Sequence, residues 1–245
     1  MVVLFISLIS VFFFVFVLLD LTSHLPRLSG SSLGLNGLGF AFQTMANTIK
    51  RIFLVIIPPA LGFIAVYGDP VDVFTAVLSA HAAASVSFFV VFLSRRKLAS
   101  LFSGAILRYS EGDSLLLSFR KGLAGAKPFQ NGVDIRFSLR AIRSDILLPA
   151  IWIFFFYTGS GFLVNILAMI THEYSAIILQ LTGALNALGT FVLAFFLDPR
   201  ISRVYENGDG AESVFVTLFS AQMINVLLVS PAFYLFIALL FFGLS

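Results

Sequence analysis

Apolar runs long enough to cross a bilayer recur along this chain, and almost no charge interrupts them. The first, from Val2 to Leu19, contains only two polar side chains, Ser7 and Ser10. A hydrocarbon core about 30 Å thick needs roughly 20 such residues in helical form. Inside it the backbone must satisfy its own hydrogen bonds, which leaves helices or closed barrels. Barrel strands alternate apolar and polar residues, and the run from Val11 to Leu19 has no polar position with which to alternate. Charged residues make up 11% of the chain, against about 25% in soluble domains, and 59% are hydrophobic, including 30 Phe. The reading is an all-α, polytopic helical membrane protein forming one transmembrane domain over residues 1–245.

Six spans are expected: Val2 to Leu19; Ile52 to Tyr67, bent by Pro58-Pro59 and preceded by a more polar helical lead-in from Leu33 to Thr48; Val71 to Leu93; Ile146 to Ile170; Ser175 to Leu197; and Ser213 to Leu244, with Pro231 as its break. The N-terminal run lacks a basic leader and a small-residue cleavage site, so it reads as a retained span. Ten of the fifteen Lys and Arg residues fall between Arg95 and Arg143. Basic residues collect in cytosolic loops. Placing 95–145 in the cytosol, as an interfacial segment between the third and fourth spans, puts all fifteen on that side and both termini outside. The expected location is the plasma (inner) membrane.

Within the cytosolic segment, Leu98, Leu101, Phe102, Ala105 and Ile106 recur at helical spacing. Glu111-Gly112-Asp113-Ser114 breaks that helix before a second over Leu115 to Leu123. A third is expected after Gly132, capped by Asp134, with Ile135, Leu139 and Ile142 on one face and Arg136, Arg140 and Arg143 on the other. Basic amphipathic helices of this kind lie against anionic lipid.

Polar side chains at membrane depth are costly and need a reason. Asp20, His24 and Arg27 follow the first span, and Gln43, Asn47, Lys50 and Arg51 succeed one another at spacings of four, three and one, along one helical face. That face is expected to line a polar vestibule. Asp198 and Arg200, with Arg203, end the fifth span. Guanidinium groups stay charged and grip phosphate bidentately, so a convergence of these arginines suits a diphosphate. The amides Asn165, Gln180, Asn186, Gln222 and Asn225 read mainly as bridges between helices. His81, set among alanines, reads as a packing or hydrogen-bonding residue, and Gly183 and Gly189 as packing points.

The absence of cysteine excludes disulfides and thiolate chemistry. The three histidines have no metal-binding spacing, and no paired-carboxylate, phosphate-loop or nucleophile-elbow motif is present. No catalytic residue, cofactor, metal or nucleic-acid partner is therefore expected.

Two stretches resemble the Amj family, flippases for lipid-linked cell-wall precursor that act as alternates to MurJ. In the first, from Leu19 to Gly62, Asp20, Arg27, Gly30, Asn47-Thr48-Ile49, Pro59, Leu61 and Gly62 fill the family pattern. The second is Leu197-Asp198-Pro199-Arg200, similar to a late Asp-Pro of the family. Where the family has an Arg before the Asn-Thr-Ile segment, Met45-Ala46 stand here, and Lys50-Arg51 follow instead.

The resemblance implies transport of a polyprenyl-diphosphate-linked sugar from the cytosolic to the outer leaflet. Arg27, Lys50, Arg51 and Arg200 would hold the diphosphate, while Gln43, Asn47 and Asp198 would contact sugar or orient those cations. The Arg136/Arg140/Arg143 helix would gather substrate among anionic membrane lipid. A homodimer is plausible for so small a chain. Two alternatives stay open: an ion- or proton-coupled carrier of a small solute, disfavoured because no acidic residue lies deep within an expected span, and a non-transporting scaffold or assembly protein.

Overall fold

The computed structural model describes residues 1–124, 135–208 and 210–242, and among these every regular element is helical. Six helical units are long and apolar enough to cross a membrane. The protein is an all-α, multi-pass membrane protein.

The first unit joins α1 (Val2–Ser23) to α2 (Leu25–Ser32). The joint falls at His24, where Pro26 in the first turn of α2 withdraws a backbone donor. The helix thus runs past the expected end at Leu19 and carries Asp20, His24 and Arg27 with it. The lead-in and second span are one helix, α3 (Asn36–Tyr67), which stays helical through Pro58-Pro59. Those prolines remove the N–H groups that would otherwise reach the Leu54 and Val55 carbonyls.

A capping box formed by Asp69 and Asp72 opens α4 (Pro70–Ser110), whose 41 residues absorb the third span and the first cytosolic helix. Gly112, with φ of 99°, turns the chain into α5 (Leu115–Ala124), as the sequence break predicts. Gly104 and Gly122 let α5 fold back on α4: a Cβ on Gly122 would stand 3.1 Å from the Ala105 nitrogen.

Each of the last three units contains a π-helical turn: Phe155–Gly159 between α6 (Ser144–Phe154) and α7 (Ser160–Ile170), Leu193–Leu197 between α8 (Ser175–Val192) and α9 (Asp198–Asn207), and Asn225–Val229 between α10 (Ala211–Ile224) and α11 (Ser230–Phe242). Two of these turns end two residues before a proline, Pro199 and Pro231. A proline ring collides with the carbonyl four residues back and offers it no donor, and widening the preceding turn relieves both problems. The break expected at Pro231 is this turn.

Packing divides the helices sharply. α1 packs against α4 and α3; Ala76, Ala80 and Ala84, at spacings of four, give α4 a shallow face, and they are buried along with Phe13, Phe16 and Val17 of α1. Ser87 donates to the Phe14 carbonyl at 2.9 Å across this contact. His81 sits among Phe13, Phe162 and Tyr234 with its Nδ1 2.8 Å from the Val77 carbonyl, a packed and hydrogen-bonded histidine as expected. α10 is buried on every side from Val214 to Gln222 and forms the centre of the bundle. In α8, Gly189 is the sole buried residue. Gly189 packs under Phe156, whereas Gly183 meets nothing within 4 Å and is no packing point.

The third amphipathic helix does not form over residues 135–143, and its expected cap, Asp134, lies outside the described residues. The backbone there is irregular, with a single 3₁₀ turn at Leu139–Ala141. Its pattern is that of an extended chain: Ile135 is buried, Arg136 exposed, Phe137 half-buried and Ser138 exposed. Phe137 packs on Phe92 and Phe219, and Arg95 Nε donates to the Ile135 carbonyl at 3.2 Å. Aromatic packing on alternate residues therefore prevails over the helical spacing of the arginines.

Candidate functional site: a cationic cavity inside the bundle

A cavity of about 310 Å³ opens between α1–α2, α3, the Phe155–Gly159 turn and the α8–α9 unit. Eight of the twelve residues singled out from sequence line it: Asp20, His24, Arg27, Gln43, Asn47, Lys50, Arg51 and Asp198. Its volume is at the lower end of the range for ligand pockets, about 300–1,000 Å³. Two periodicities build it. Asp20, His24 and Arg27 are four and three residues apart and stay on one side through the helix joint. Gln43, Asn47, Lys50 and Arg51 share one face of α3.

The two faces are brought together by a glycine crossing. A Cβ on Gly30 would lie 2.6 Å from the Gly39 Cα, so only glycine at both positions lets α2 and α3 approach this closely. The crossing puts the Arg27 guanidinium 5.2 Å from the Phe40 ring centroid, and the Gln43 amide nitrogen donates to His24 Nδ1 at 3.2 Å. With Nδ1 accepting, the ring proton is on Nε2.

At the inner end, Lys50 donates to Asp20, which also accepts from the Gln222 amide of α10. Asp20 is 1% exposed and Lys50 7%. Gln222 lies 11 residues into α10, about 16 Å along its axis. A carboxylate therefore stands well inside the bundle, contrary to the sequence reading that places Asp20 just beyond a span.

Arg27 is also buried, donating to Ser202, with Asp198 3.8 Å away and the Tyr205 ring centroid 5.0 Å away. Arg51 is exposed at the cavity's edge, and its Nε donates to the Tyr157 hydroxyl at 3.2 Å. Lys50 Nζ lies 5.6 Å from the centroid of the same tyrosine ring. Three cations facing two carboxylates leave one net positive charge, apart from His24.

Among the described residues, three polar atoms that line the cavity are buried without a hydrogen-bond partner: His24 Nε2, Gln43 Oε1 and Asn47 Oδ1. An unsatisfied buried polar atom costs about 1–3 kcal/mol. The cavity thus offers one unused donor, two unused amide acceptors and a surplus of cationic groups, a set that matches a ligand bearing phosphate and hydroxyl or amide groups.

The remaining four residues are elsewhere. Arg200 donates to the Asp145 carbonyl at 3.1 Å, outside the cavity, so Arg27 rather than Arg200 is the arginine beside Asp198. Arg143 pairs with the Asp145 carboxylate at 3.0 Å, and its backbone N–H donates to Thr217 at 2.9 Å. Arg136 and Arg140 are exposed on the irregular segment before α6. Tyr157, Gln222, Ser202 and Tyr205 join the site without having been expected there from sequence. Tyr157 carries a signal, a hydroxyl directly after the Phe154-Phe155-Phe156 run. Of the intramembrane amides, Asn186 accepts from Ser160 at 2.8 Å and so bridges α7 and α8, whereas Asn225 accepts from Ser230 at 2.9 Å and Asn165 donates to the Gly161 carbonyl at 2.7 Å within their own helical units. Gln180 is exposed.

No family model, curated protein or solved structure matches this chain.

Proposed function

We propose that this protein is a flippase that carries a polyprenyl-diphosphate-linked sugar, of the kind used as a cell-wall precursor, from the cytosolic to the outer leaflet of the plasma membrane. The observation that carries the reading is one cavity inside the bundle in which Arg27, Lys50 and Arg51 meet unused amide acceptors. The Amj resemblance of the Leu19–Gly62 stretch supports it from sequence, since Asp20, Arg27 and Asn47 all line this cavity. The distribution of basic residues supports an orientation with residues 95–145 in the cytosol and both termini outside.

In this reading an arriving diphosphate takes the exposed Arg51 first, replacing the tyrosine hydroxyl by a charge-assisted partner worth more in a water-poor site. Lys50 and Arg27 already have carboxylate partners, Asp20 and Asp198, and turn toward phosphate only as those contacts loosen. His24, Gln43 and Asn47 contact the sugar. The exposed Arg136 and Arg140 draw anionic lipid to this side of the membrane. The test is genetic: expression in cells depleted of their lipid-linked precursor flippase. Rescue that is lost in Arg27→Ala or Arg51→Ala supports the reading; no rescue by membrane-inserted protein contradicts it.

A second reading rests on Asp20. A carboxylate inside the bundle, coupled to Lys50, is a group that an ion- or proton-coupled carrier of a small solute uses. Such a carrier would dissipate a proton gradient in liposomes in the presence of its solute and would not rescue the depleted cells.

A further inference from the structure

A second cavity of about 220 Å³ adjoins the first, and Tyr157 lines both. The same two helices bound the pair. On α3 the first cavity takes residues up to Arg51, and the second takes Leu54 to Pro58; on α8 the first reaches Thr190, and the second continues to Asn186 and Thr182. Both helices pack on α7, but α3 and α8 do not pack substantially on one another. The two cavities are therefore successive parts of one cleft whose floor is α7 and the Phe155–Gly159 turn. Val55 of α3 and Thr190 of α8, which line the two cavities, are themselves exposed, so the cleft is open at its side.

The chemistry changes at Tyr157. Among the described residues no Lys, Arg, Asp or Glu lines the second cavity, and the Ser160 hydroxyl there is already committed to Asn186. A phosphate has no counter-charge in it, whereas hydrocarbon meets Leu54, Ile57, Pro58 and Phe162, and the Thr158 hydroxyl, already buried without a partner, has no hydrogen bond to lose. From Arg51 to Pro58 the cleft advances about 10 Å along α3 toward the membrane centre, the direction in which the tail of a lipid in the adjacent leaflet points.

We infer that the second cavity holds the proximal hydrocarbon of the ligand whose phosphates occupy the first, so that the site reads a prenyl diphosphate as one amphiphile, loaded sideways between α3 and α8. This rests on the headgroup reading given above. Discrimination comes from packing against the cleft walls, because lipid tails surrounding the protein are as apolar as the cavity.

The test compares binding of inorganic diphosphate and farnesyl diphosphate to the purified full chain in detergent, with and without Gly161→Leu. A Cβ on Gly161 would meet Pro58 Cγ at 3.7 Å, an ordinary contact, so the longer side chain grows into the second cavity without displacing backbone. Thr182→Phe fills it from the opposite wall and serves if the first variant does not fold. Micelle partitioning raises the apparent affinity of any chain equally for all variants, so the decisive quantity is the change on filling. The expected result is at least a tenfold loss of farnesyl diphosphate affinity with inorganic diphosphate affinity unchanged within twofold. Farnesyl diphosphate affinity unaffected by either filling variant overturns the tail assignment while leaving the headgroup site standing. Failure of inorganic diphosphate to bind even the unsubstituted protein overturns the headgroup reading itself.

Discussion

Arg27, Lys50 and Arg51 form one set of three cations in this protein, and Arg136, Arg140 and Arg143 another. By sequence alone the Arg136/Arg140/Arg143 set, spaced at four and three in the most basic segment, is expected to be a helical face that gathers substrate, while Arg27, Lys50 and Arg51 are expected to hold the diphosphate. In the fold it is the Arg27/Lys50/Arg51 set that lines a cavity inside the bundle, with two members buried against carboxylates. The other set lies on an irregular segment with Arg136 and Arg140 exposed. A charge acquires specificity when neighbours fix its geometry and exclude water, and spacing alone supplies neither.

The difference is open to direct attack, beginning where the effect is greatest. Lys50→Met leaves Asp20 buried without its cation, which costs about 3–5 kcal/mol for a buried pair. The expected result is a marked fall in thermal unfolding temperature in detergent. The double variant Asp20→Asn/Lys50→Met removes both charges and should recover most of that loss. A double variant no more stable than the single one would show that the two residues do not act as a pair.

Next in size is the glycine crossing that assembles the inner set. Gly39→Leu places a Cβ 2.9 Å from the Gly30 Cα, and overpacking of this kind costs roughly 1–3 kcal/mol. Gly37→Leu, where a Cβ meets nothing within 4 Å, should be tolerated. Equal stability of the two variants would remove the crossing from the account of how the cavity is held together.

Arg51→Ala should change stability little, since Arg51 is exposed and its partner is a neutral hydroxyl. Affinity for inorganic diphosphate should nevertheless fall about tenfold or more, as for a lost hydrogen bond to a charged group. Smallest is Arg140→Ala: diphosphate affinity should stay within about twofold, while binding of protein-bearing nanodiscs to anionic vesicles weakens in a salt-dependent way. Comparable losses of diphosphate affinity in the two variants would erase the distinction between the sets.

Much of this is legible from local pattern. The number of spans follows from apolar length, and the face shared by Gln43, Asn47, Lys50 and Arg51 follows from helical period alone. Partners distant in sequence are not legible: Lys50 meets Asp20 thirty residues away, and Gln222 reaches the same carboxylate from α10. Sequence misplaces the end of the first span because polarity after Leu19 suggests exposure, whereas the helix continues and buries Asp20, Ser23 and Arg27 against neighbours. The stripe from Arg136 to Arg143 misleads because Ile135-Arg136-Phe137-Ser138-Leu139-Arg140 also fits a period of two, and the packing of Phe137 selects that alternative. The π turns depend on how Pro199 and Pro231 are accommodated by their neighbours, which no single-helix pattern encodes.

Transbilayer movement of a fluorescent prenyl-diphosphate sugar in proteoliposomes, read by the fraction protected from an external quencher, separates the two sets of cations in one assay. Arg51→Ala should slow the protein-dependent rate at least tenfold and Arg140→Ala by less than about twofold. Normal movement by a correctly inserted Arg51→Ala protein would contradict the assignment of the cavity as the headgroup site.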